Sequence, residues 1–133
     1  MQVLLIRHAL PLRSDVGSDP ELADDGWEQA RRLPDALQRF PISRLVSSPQ
    51  RRALQTAEPL ADSLGLTVAI DERLAEYDRG MSHYVPLEQV RAERPEDWAR
   101  MARGQLPGAV DAAAFTARVR SALAGVVATA DHR

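Results

Sequence analysis

The chain opens with Val3-Leu4-Leu5-Ile6-Arg7-His8, an apolar run that leads directly into a cation and an imidazole. The apolar residues predict a buried β-strand, with Arg7 and His8 at its carboxyl end. Ligands of open α/β sheets collect beyond the carboxyl ends of parallel strands, and a guanidinium matches phosphate oxygens in a two-pronged geometry. This stretch therefore predicts a parallel sheet with a phosphate site at its edge, and a coincidental Arg-His pair in an arginine-rich chain is the alternative.

The composition limits the chemistry that the chain can perform. Its 133 residues are 44% hydrophobic and carry a formal net charge of −2, which suits a single domain over residues 1–133 with its own core. All 17 basic residues are arginine, and neither lysine nor cysteine occurs. A cysteine nucleophile, a thiolate zinc site, a Schiff-base lysine and a P-loop lysine are therefore excluded.

The charge and the hydropathy pattern also limit the partners and the location. A near-neutral chain lacks the basic face that sequence-independent binding of nucleic acid requires. No apolar run reaches the length needed to span a membrane, and no signal peptide precedes the first predicted strand. We therefore expect a cytoplasmic protein that binds neither nucleic acid nor membranes.

Strand and helix patterns alternate along the chain, which predicts an α/β fold of three layers, α/β/α, with a mainly parallel sheet. The later predicted strands are residues 44–47 and 67–70. The first predicted helix starts near Asp24, with Asp24 or Asp25 as N-cap and a break at Pro34. The second has Ser48 as cap and Pro49 as first residue, and it ends at Gly65 with a kink at Pro59. The last two predicted helices span residues 86–102 and 111–130.

A second stretch, Ser47-Ser48-Pro49-Gln50-Arg51-Arg52-Ala53-Leu54-Gln55-Thr56-Ala57, places two arginines in the first turn of a predicted helix. A helix N-terminus attracts anions through its free N–H groups and its dipole. Arginine is unfavourable for that dipole, and an anion shared with the sheet edge would explain its presence. A solvated arginine pair on a surface helix is the alternative.

A third stretch, Leu74-Ala75-Glu76-Tyr77-Asp78-Arg79-Gly80, places a carboxylate after a predicted strand and before a glycine turn. An ordinary exposed carboxylate in a charged loop is the alternative to a functional acid in this stretch.

Taken in order, the three stretches resemble the histidine phosphatase superfamily, which includes cofactor-dependent phosphoglycerate mutase and many phosphomonoesterases. The opening stretch is similar to the Arg-His-Gly motif of that family, with Ala9 in place of glycine. In the second motif the catalytic arginine directly precedes alanine, which implies Arg52 rather than Arg51. Glu76 matches the acid of the third motif. The resemblance covers essentially the whole chain and implies a phosphoglycerate mutase-like fold.

The resemblance also implies roles for these residues. His8 would attack phosphorus and form a phosphohistidine, with its other ring nitrogen held by a backbone carbonyl. Arg7 and Arg52 would bind the non-bridging oxygens. Glu76 would protonate the leaving oxygen and then activate water. No metal and no other cofactor is implied, and the partner is a small phosphorylated substrate or inorganic phosphate.

Hydrolysis is the preferred reaction, because the loop after His8 has few of the polar residues that mutases use. The alternatives are phosphoglycerate mutase-type phosphotransfer and a non-catalytic phosphate-binding or interaction module. The sequence identifies neither the substrate nor the oligomeric state.

One part of the family pattern is missing, a second histidine that ends another strand and precedes glycine. His132 is the late candidate, but it follows a predicted helix and has no glycine after it. We therefore expect the polypeptide to continue past Arg133 into a strand that ends in His-Gly, and the sheet of the given chain to lack that strand. His83, in the loop after the acid motif, is either a substrate contact or an exposed, inert histidine.

Overall fold

Residues 1–107 and 110–130 are described by the computed structural model of the chain. Helices supply most of the regular structure. They are α1 (Asp24–Arg31), α2 (Leu33–Ala36), α3 (Arg51–Leu64), α4 (Leu87–Glu93), α5 (Pro95–Ala102) and α6 (Ala112–Ala130), and a 3₁₀ turn spans Glu72–Leu74. None of the helices in these two ranges is long and apolar enough to cross a membrane.

Among the described residues, the sheet consists of two short parallel strands. Strand β1 (Leu45–Ser47) pairs with β2 (Val68–Ile70), and both strands lie within one residue of their predicted bounds. The register places Leu45 opposite Val68, Val46 opposite Ala69 and Ser47 opposite Ile70. Helix α3 connects the strands and packs against both of them. This β-α-β unit confirms the predicted α/β fold with a parallel sheet.

The two ends of α3 differ in how well the sequence predicts them. The helix ends at Leu64, and Gly65 follows in the left-handed conformation with φ of +65°, as predicted. The predicted start at Ser48 and Pro49 is wrong, because α3 begins at Arg51. Its first N–H group is bound by a distant residue, since Asp19 Oδ1 accepts from the Arg51 N–H at 2.7 Å.

Prolines divide two of the predicted helices. Pro34 lies in the first turn of α2 and separates it from α1, which confirms the predicted break. The predicted helix over residues 86–102 is interrupted where Pro95 starts α5, because the residue before a proline disfavours helical backbone. By contrast, α3 continues through Pro59. The predicted N-cap of α1 is wrong, since Ala23 occupies it, while Asp24 and Asp25 lie in the first turn, where the helix dipole favours acids.

The predicted first strand at Val3–Ile6 is wrong. Residues 1–8 have no regular secondary structure, and the exposed fractions of Val3, Leu5 and Ile6 are 42%, 76% and 45%. A cleft of about 870 Å³ is lined by residues 1–8, β1, α3 and part of α6. Within the described residues, β1 pairs only with β2 and residues 1–8 join no ladder. An extended segment without a neighbouring strand has no partner for its backbone groups.

The packing that positions the site lies between α1 and α3. Ala9, Leu22 and Ala30 form a buried cluster, and Trp27 packs against it. Gly26 of α1 approaches Leu10 so closely that an added Cβ would overlap the Leu10 carbonyl oxygen. The segment that follows His8 is therefore held firmly against α1.

Candidate active site

His8 is fixed by hydrogen bonds of the residue that follows it. The Ala9 N–H donates to Thr56 Oγ1 at 2.9 Å, and the Thr56 hydroxyl donates to the Arg52 carbonyl oxygen at 2.6 Å. These bonds attach the segment after His8 to the first turns of α3. The Nδ1 atom of His8 lies 2.8 Å from the Ala9 carbonyl oxygen, so Nδ1 carries the donated proton. The ring nitrogen left for chemistry is Nε2.

Glu76 lies between His8 and Arg52. Its Oε1 is 3.1 Å from His8 Nε2, and its Oε2 is 3.1 Å from Arg52 Nη2. The His8 side chain is 8% exposed and that of Glu76 is 38% exposed, so the imidazole lies beneath the carboxyl group. Because Nδ1 donates elsewhere, the close Nε2–Oε1 contact requires one proton shared by the imidazole and the carboxyl group.

The groups around Glu76 and its burial have opposite effects on its pKa. Burial on its own raises the pKa of Glu76, while the hydrogen bond to His8 and the charge of Arg52 lower it, and the net pKa is below the ordinary value. The carboxylate is therefore stabilised as an anion by the two groups that would receive an anionic ligand.

Arg52 is fully buried and almost saturated with acceptors. Its Nη1 donates to the Ser18 carbonyl oxygen at 3.1 Å, and Nη2 donates to Asp78 at 3.1 and 3.2 Å as well as to Glu76. The Tyr84 ring centre lies 4.4 Å from Cζ, which adds a cation–π contact. Among the described residues, the buried Nε–H of Arg52 has no hydrogen-bond acceptor.

Asp78 and Gln50 surround the arginine on its buried side. Asp78 is 5% exposed, and burial raises its pKa more than the charge of Arg52 lowers it. Gln50 donates from Nε2 to Asp78 Oδ1 at 3.0 Å and accepts from the Glu76 N–H at 2.9 Å. No contact of Asp78 with His8 occurs in the described structure, so Glu76 is the carboxyl group that faces the imidazole.

Arg7 does not join this cluster. Its guanidinium is 56% exposed and pairs with Glu88 of α4 at 3.2 Å. Burial raises the pKa of Tyr84, and the charges of Arg52 and Arg7 both act against that rise, which places Arg7 within electrostatic reach of the same aromatic ring. Of the four predicted site residues, the structure brings His8, Arg52 and Glu76 into contact and leaves Arg7 at the rim.

The remaining candidates lie away from the cluster. Arg51 is exposed and pairs with Glu21 at 3.0 Å, so the two neighbouring arginines have different surroundings. His83 is exposed and contacts the Ser82 hydroxyl. His132 lies outside the described residues. Within the described ranges, no group of three or more His, Cys, Asp or Glu side chains is arranged to hold a metal ion.

Sequence reasoning gave no role to Gln50 or Tyr84. Gln50 stands inside the second motif, but no spacing rule marks a glutamine at that position. Tyr84 follows the glycine turn in a loop without periodicity. A buried position could have been suspected for Tyr84 only from its aromatic character, so its contact with Arg52 required the structure.

The family comparison agrees with the fold. The family model described as histidine phosphatase superfamily (branch 1) matches residues 3–133. The chain belongs to this superfamily. Its phosphoglycerate mutase-like α/β fold is confirmed by solved structures as well, including mycobacterial glucosyl-3-phosphoglycerate phosphatase, which aligns with a TM-score of 0.66 at 30% identity over 92% of this chain and 61% of that chain.

Two curated relatives and one solved complex are also similar to the chain. Phosphoserine phosphatase 1 of Hydrogenobacter thermophilus is 33% identical over 105 residues, 75% of this chain and 50% of that protein. A probable phosphoglycerate mutase of Erwinia tasmaniensis is 29% identical over 92% of this chain and 61% of that protein. The mycobacterial phosphatase in complex with inorganic phosphate aligns with a TM-score of 0.63 at 31% identity over 91% of this chain and 60% of that chain. The chain thus spans about half to three fifths of the length of these relatives.

Proposed function

We propose that the chain carries the phosphohistidine chemistry of a phosphomonoester hydrolase acting on a small phosphorylated metabolite. The observation that carries the proposal is the contact of one carboxyl group with both His8 Nε2 and Arg52 Nη2, each at 3.1 Å. A nucleophile, a cation and a proton carrier are thereby within reach of one phosphoryl group. The relatives named as phosphatases support the same reaction.

A phosphoryl group that binds to His8 and Arg52 replaces Glu76 there and raises the pKa of Glu76, so the proton that the two residues share lies on Glu76. In the first step, the lone pair of His8 Nε2 attacks phosphorus in line with the ester oxygen. The P–N bond forms, the P–O bond to the leaving group breaks, and the Glu76 carboxyl proton passes to the departing oxygen. In the second step, the Glu76 carboxylate takes a proton from water, and the resulting hydroxide displaces His8 Nε2 from phosphorus. The products are an alcohol, inorganic phosphate and the original His8.

Arg52 supplies the charge stabilisation in both steps. Its buried guanidinium has an Nε–H without an acceptor among the described residues, and a phosphoryl oxygen is an acceptor that would satisfy it. Arg7 is more exposed and pairs with Glu88 at 3.2 Å, and because such a surface ion pair contributes little energy, Arg7 exchanges Glu88 for a bound phosphate at little cost. The reaction is proposed for the cytoplasm.

Labelling of His8 tests the proposal. Incubation with a phosphomonoester radiolabelled on its phosphate, followed by quenching in alkaline denaturant, should trap phosphate on the protein that acid then releases, and His8→Ala should abolish the labelling and the turnover. His83→Ala is the matched control, because His83 is an exposed histidine outside the cluster. Labelling that persists in His8→Ala would refute the assignment of the nucleophile, and binding of phosphate without any labelling would favour the non-catalytic module.

Phosphotransfer within a sugar acid is the second candidate, favoured by the relative named as a probable phosphoglycerate mutase. Both reactions pass through the same phosphohistidine, so the acceptor decides between them. Release of inorganic phosphate from a phosphorylated sugar acid indicates hydrolysis, whereas formation of its positional isomer indicates phosphotransfer.

A further inference from the structure

Gln50 lies between helix α3, which carries Arg52, and residues 75–79, which we call the acid loop. It is 5% exposed and occupies the N-cap of α3, yet its side chain makes no capping bond to that helix. Asp19 caps the first N–H instead. The Gln50 amide is therefore available for contacts outside its own helix.

Both ends of the Gln50 amide are bound to the acid loop. Oε1 accepts from the Glu76 N–H at 2.9 Å, and Nε2 donates to Asp78 Oδ1 at 3.0 Å. Asp78 in turn accepts from Arg52, which also donates to Glu76. The four residues thus form a closed ring of hydrogen bonds, and the buried guanidinium is one of its members.

We propose that Gln50 is a positioning residue that fixes the Glu76 carboxyl group relative to His8 and Arg52. Gln50 is the N-cap residue of the helix that carries Arg52, so its side-chain amide transmits the position of that helix to the acid loop. The catalytic consequence rests on the proposed function, whereas the positioning itself does not.

An amide suits this position for a specific chemical reason. One backbone N–H needs an acceptor and one buried carboxylate needs a donor, and a neutral amide supplies both at once. A methionine side chain of similar size supplies neither. A glutamate accepts from the N–H, but it loses the donor and adds a negative charge beside Asp78 and Glu76.

The test compares Gln50→Met and Gln50→Glu with Gln55→Met as matched control. Gln55 lies on the same helix, and its Oε1 accepts from the Leu22 N–H at 2.7 Å, so its loss removes the same kind of bond from a different loop. Two quantities are measured: the pKa of Glu76 by carbon NMR of labelled carboxyl groups, and single-turnover rates of phosphohistidine formation from an alkyl and from an activated aryl phosphate.

In Gln50→Met, the rate with the alkyl phosphate should fall about ten- to hundred-fold, because misplacing a reacting group by about 1 Å has an effect of this size. The rate with the aryl phosphate should change much less, since its leaving group hardly needs a proton. In the same variant the pKa of Glu76 should rise toward its ordinary value, because a displaced carboxyl group loses the contacts with His8 and Arg52 that lower it, while Asp78 and Tyr84 are unchanged. Gln55→Met should leave the rate ratio and the pKa unchanged.

Three results would overturn the inference: equal losses on both substrates in Gln50→Met, the same rate ratio in Gln50→Met and Gln55→Met, or an unchanged pKa of Glu76 in Gln50→Met. If Gln50→Met does not fold, the nearly isosteric Gln50→Glu decides through the rate ratio, which should still fall because the bond to Asp78 is lost. A wild-type chain that forms no phosphohistidine refutes the proposed function, and the NMR measurement then still decides whether Gln50 positions Glu76.

Discussion

Arg52 is a buried cation whose charge is compensated by two carboxylates. Burial lowers the pKa of Arg52, but the nearby Glu76 and Asp78 raise it by more. The net pKa is above the ordinary value, so the group stays charged. Removing one partner of such an arrangement leaves an uncompensated buried charge and costs about 3 to 5 kcal/mol. An alanine substitution would therefore change the stability of the fold and the affinity for phosphate at the same time. A lysine substitution keeps the charge and removes only the planar guanidinium.

Arg52→Lys should weaken the binding of phosphate or vanadate by about ten-fold or more. The expectation follows from charge-assisted hydrogen bonds, which contribute about 1.5 to 3 kcal/mol each. Calorimetric titration of the wild type and the variant measures the effect, with circular dichroism to confirm the fold.

Arg51→Ala is the control for this change. Its guanidinium is exposed and pairs with Glu21 on the surface, so phosphate affinity should change less than two-fold, in keeping with the small value of exposed ion pairs. A larger loss from Arg51→Ala than from Arg52→Lys would shift the binding arginine by one residue.

The pKa of Glu76 should rise when phosphate or vanadate binds. The pKa is lowered by His8 and Arg52, and an anion that binds to these two groups replaces attraction by repulsion. Binding should therefore be accompanied by proton uptake in the pH range between the lower pKa of the free protein and the higher pKa of the complex. Outside this range, Glu76 has the same protonation in both states.

Carbon NMR titration of the labelled carboxyl groups, with and without vanadate, measures this shift. Asp71 serves as an internal control, because its lowered pKa results from its pair with Arg73 and not from His8 or Arg52. A Glu76 pKa that stays constant or falls on binding would contradict the proposed exchange of partners.

The contrast between predicted and overlooked site residues has a physical basis. His8, Arg52 and Glu76 each lie within a contiguous stretch of sequence that resembles a family motif, so they could be identified without knowledge of the fold. Gln50 and Tyr84 act through contacts with residues far away in sequence, such as the Gln50–Asp78 bond across 28 positions. Local patterns contain no information about such contacts.

The same distinction applies to the ends of the elements. Gly65 terminates α3 through its own backbone conformation, which can be predicted from its neighbours. The start of α3 depends on Asp19, a residue 32 positions earlier, and could not be predicted locally. The apolar run at Val3–Ile6 satisfies the pattern of a strand, but a strand also needs a neighbour, and within the described residues it has none.

Gly26 and Gly65 permit a matched test of how α1 supports the site. Gly26→Ala should weaken phosphate binding and destabilise the fold by about 1 to 3 kcal/mol, because the new Cβ would overlap the Leu10 carbonyl oxygen two residues after His8. Gly65→Ala meets no atom within 4 Å and should cost about 1 kcal/mol through its φ of +65° alone.

Denaturant unfolding and phosphate titration of both variants measure these effects. Phosphate affinity should be unchanged in Gly65→Ala, since the C-terminus of α3 lies at the far end of the helix from Arg52. Equal phosphate affinities in the two variants would mean that the contact between α1 and Leu10 does not position His8.

At the scale of the whole molecule, the cleft beside β1 combines two features that favour association. Residues 1–8 present exposed apolar side chains to it, with Leu5 76% exposed. In the described part of the chain, β1 has a partner on one side only, and unpaired strand edges are templates for pairing with other chains. The charge of −2 offers little repulsion between copies of the chain.

We therefore expect concentration-dependent self-association through this cleft, and Leu5→Glu should weaken the association about ten-fold or more. Burial of a leucine side chain contributes about 1.5 to 3 kcal/mol, which the substitution removes. Burial of the glutamate charge adds a further cost. Val16→Glu is the control, because Val16 is 93% exposed but does not line the cleft. Sedimentation velocity over a range of concentrations measures both. A chain that stays monomeric at all concentrations, or an equal effect of the two substitutions, would show that the cleft does not drive association.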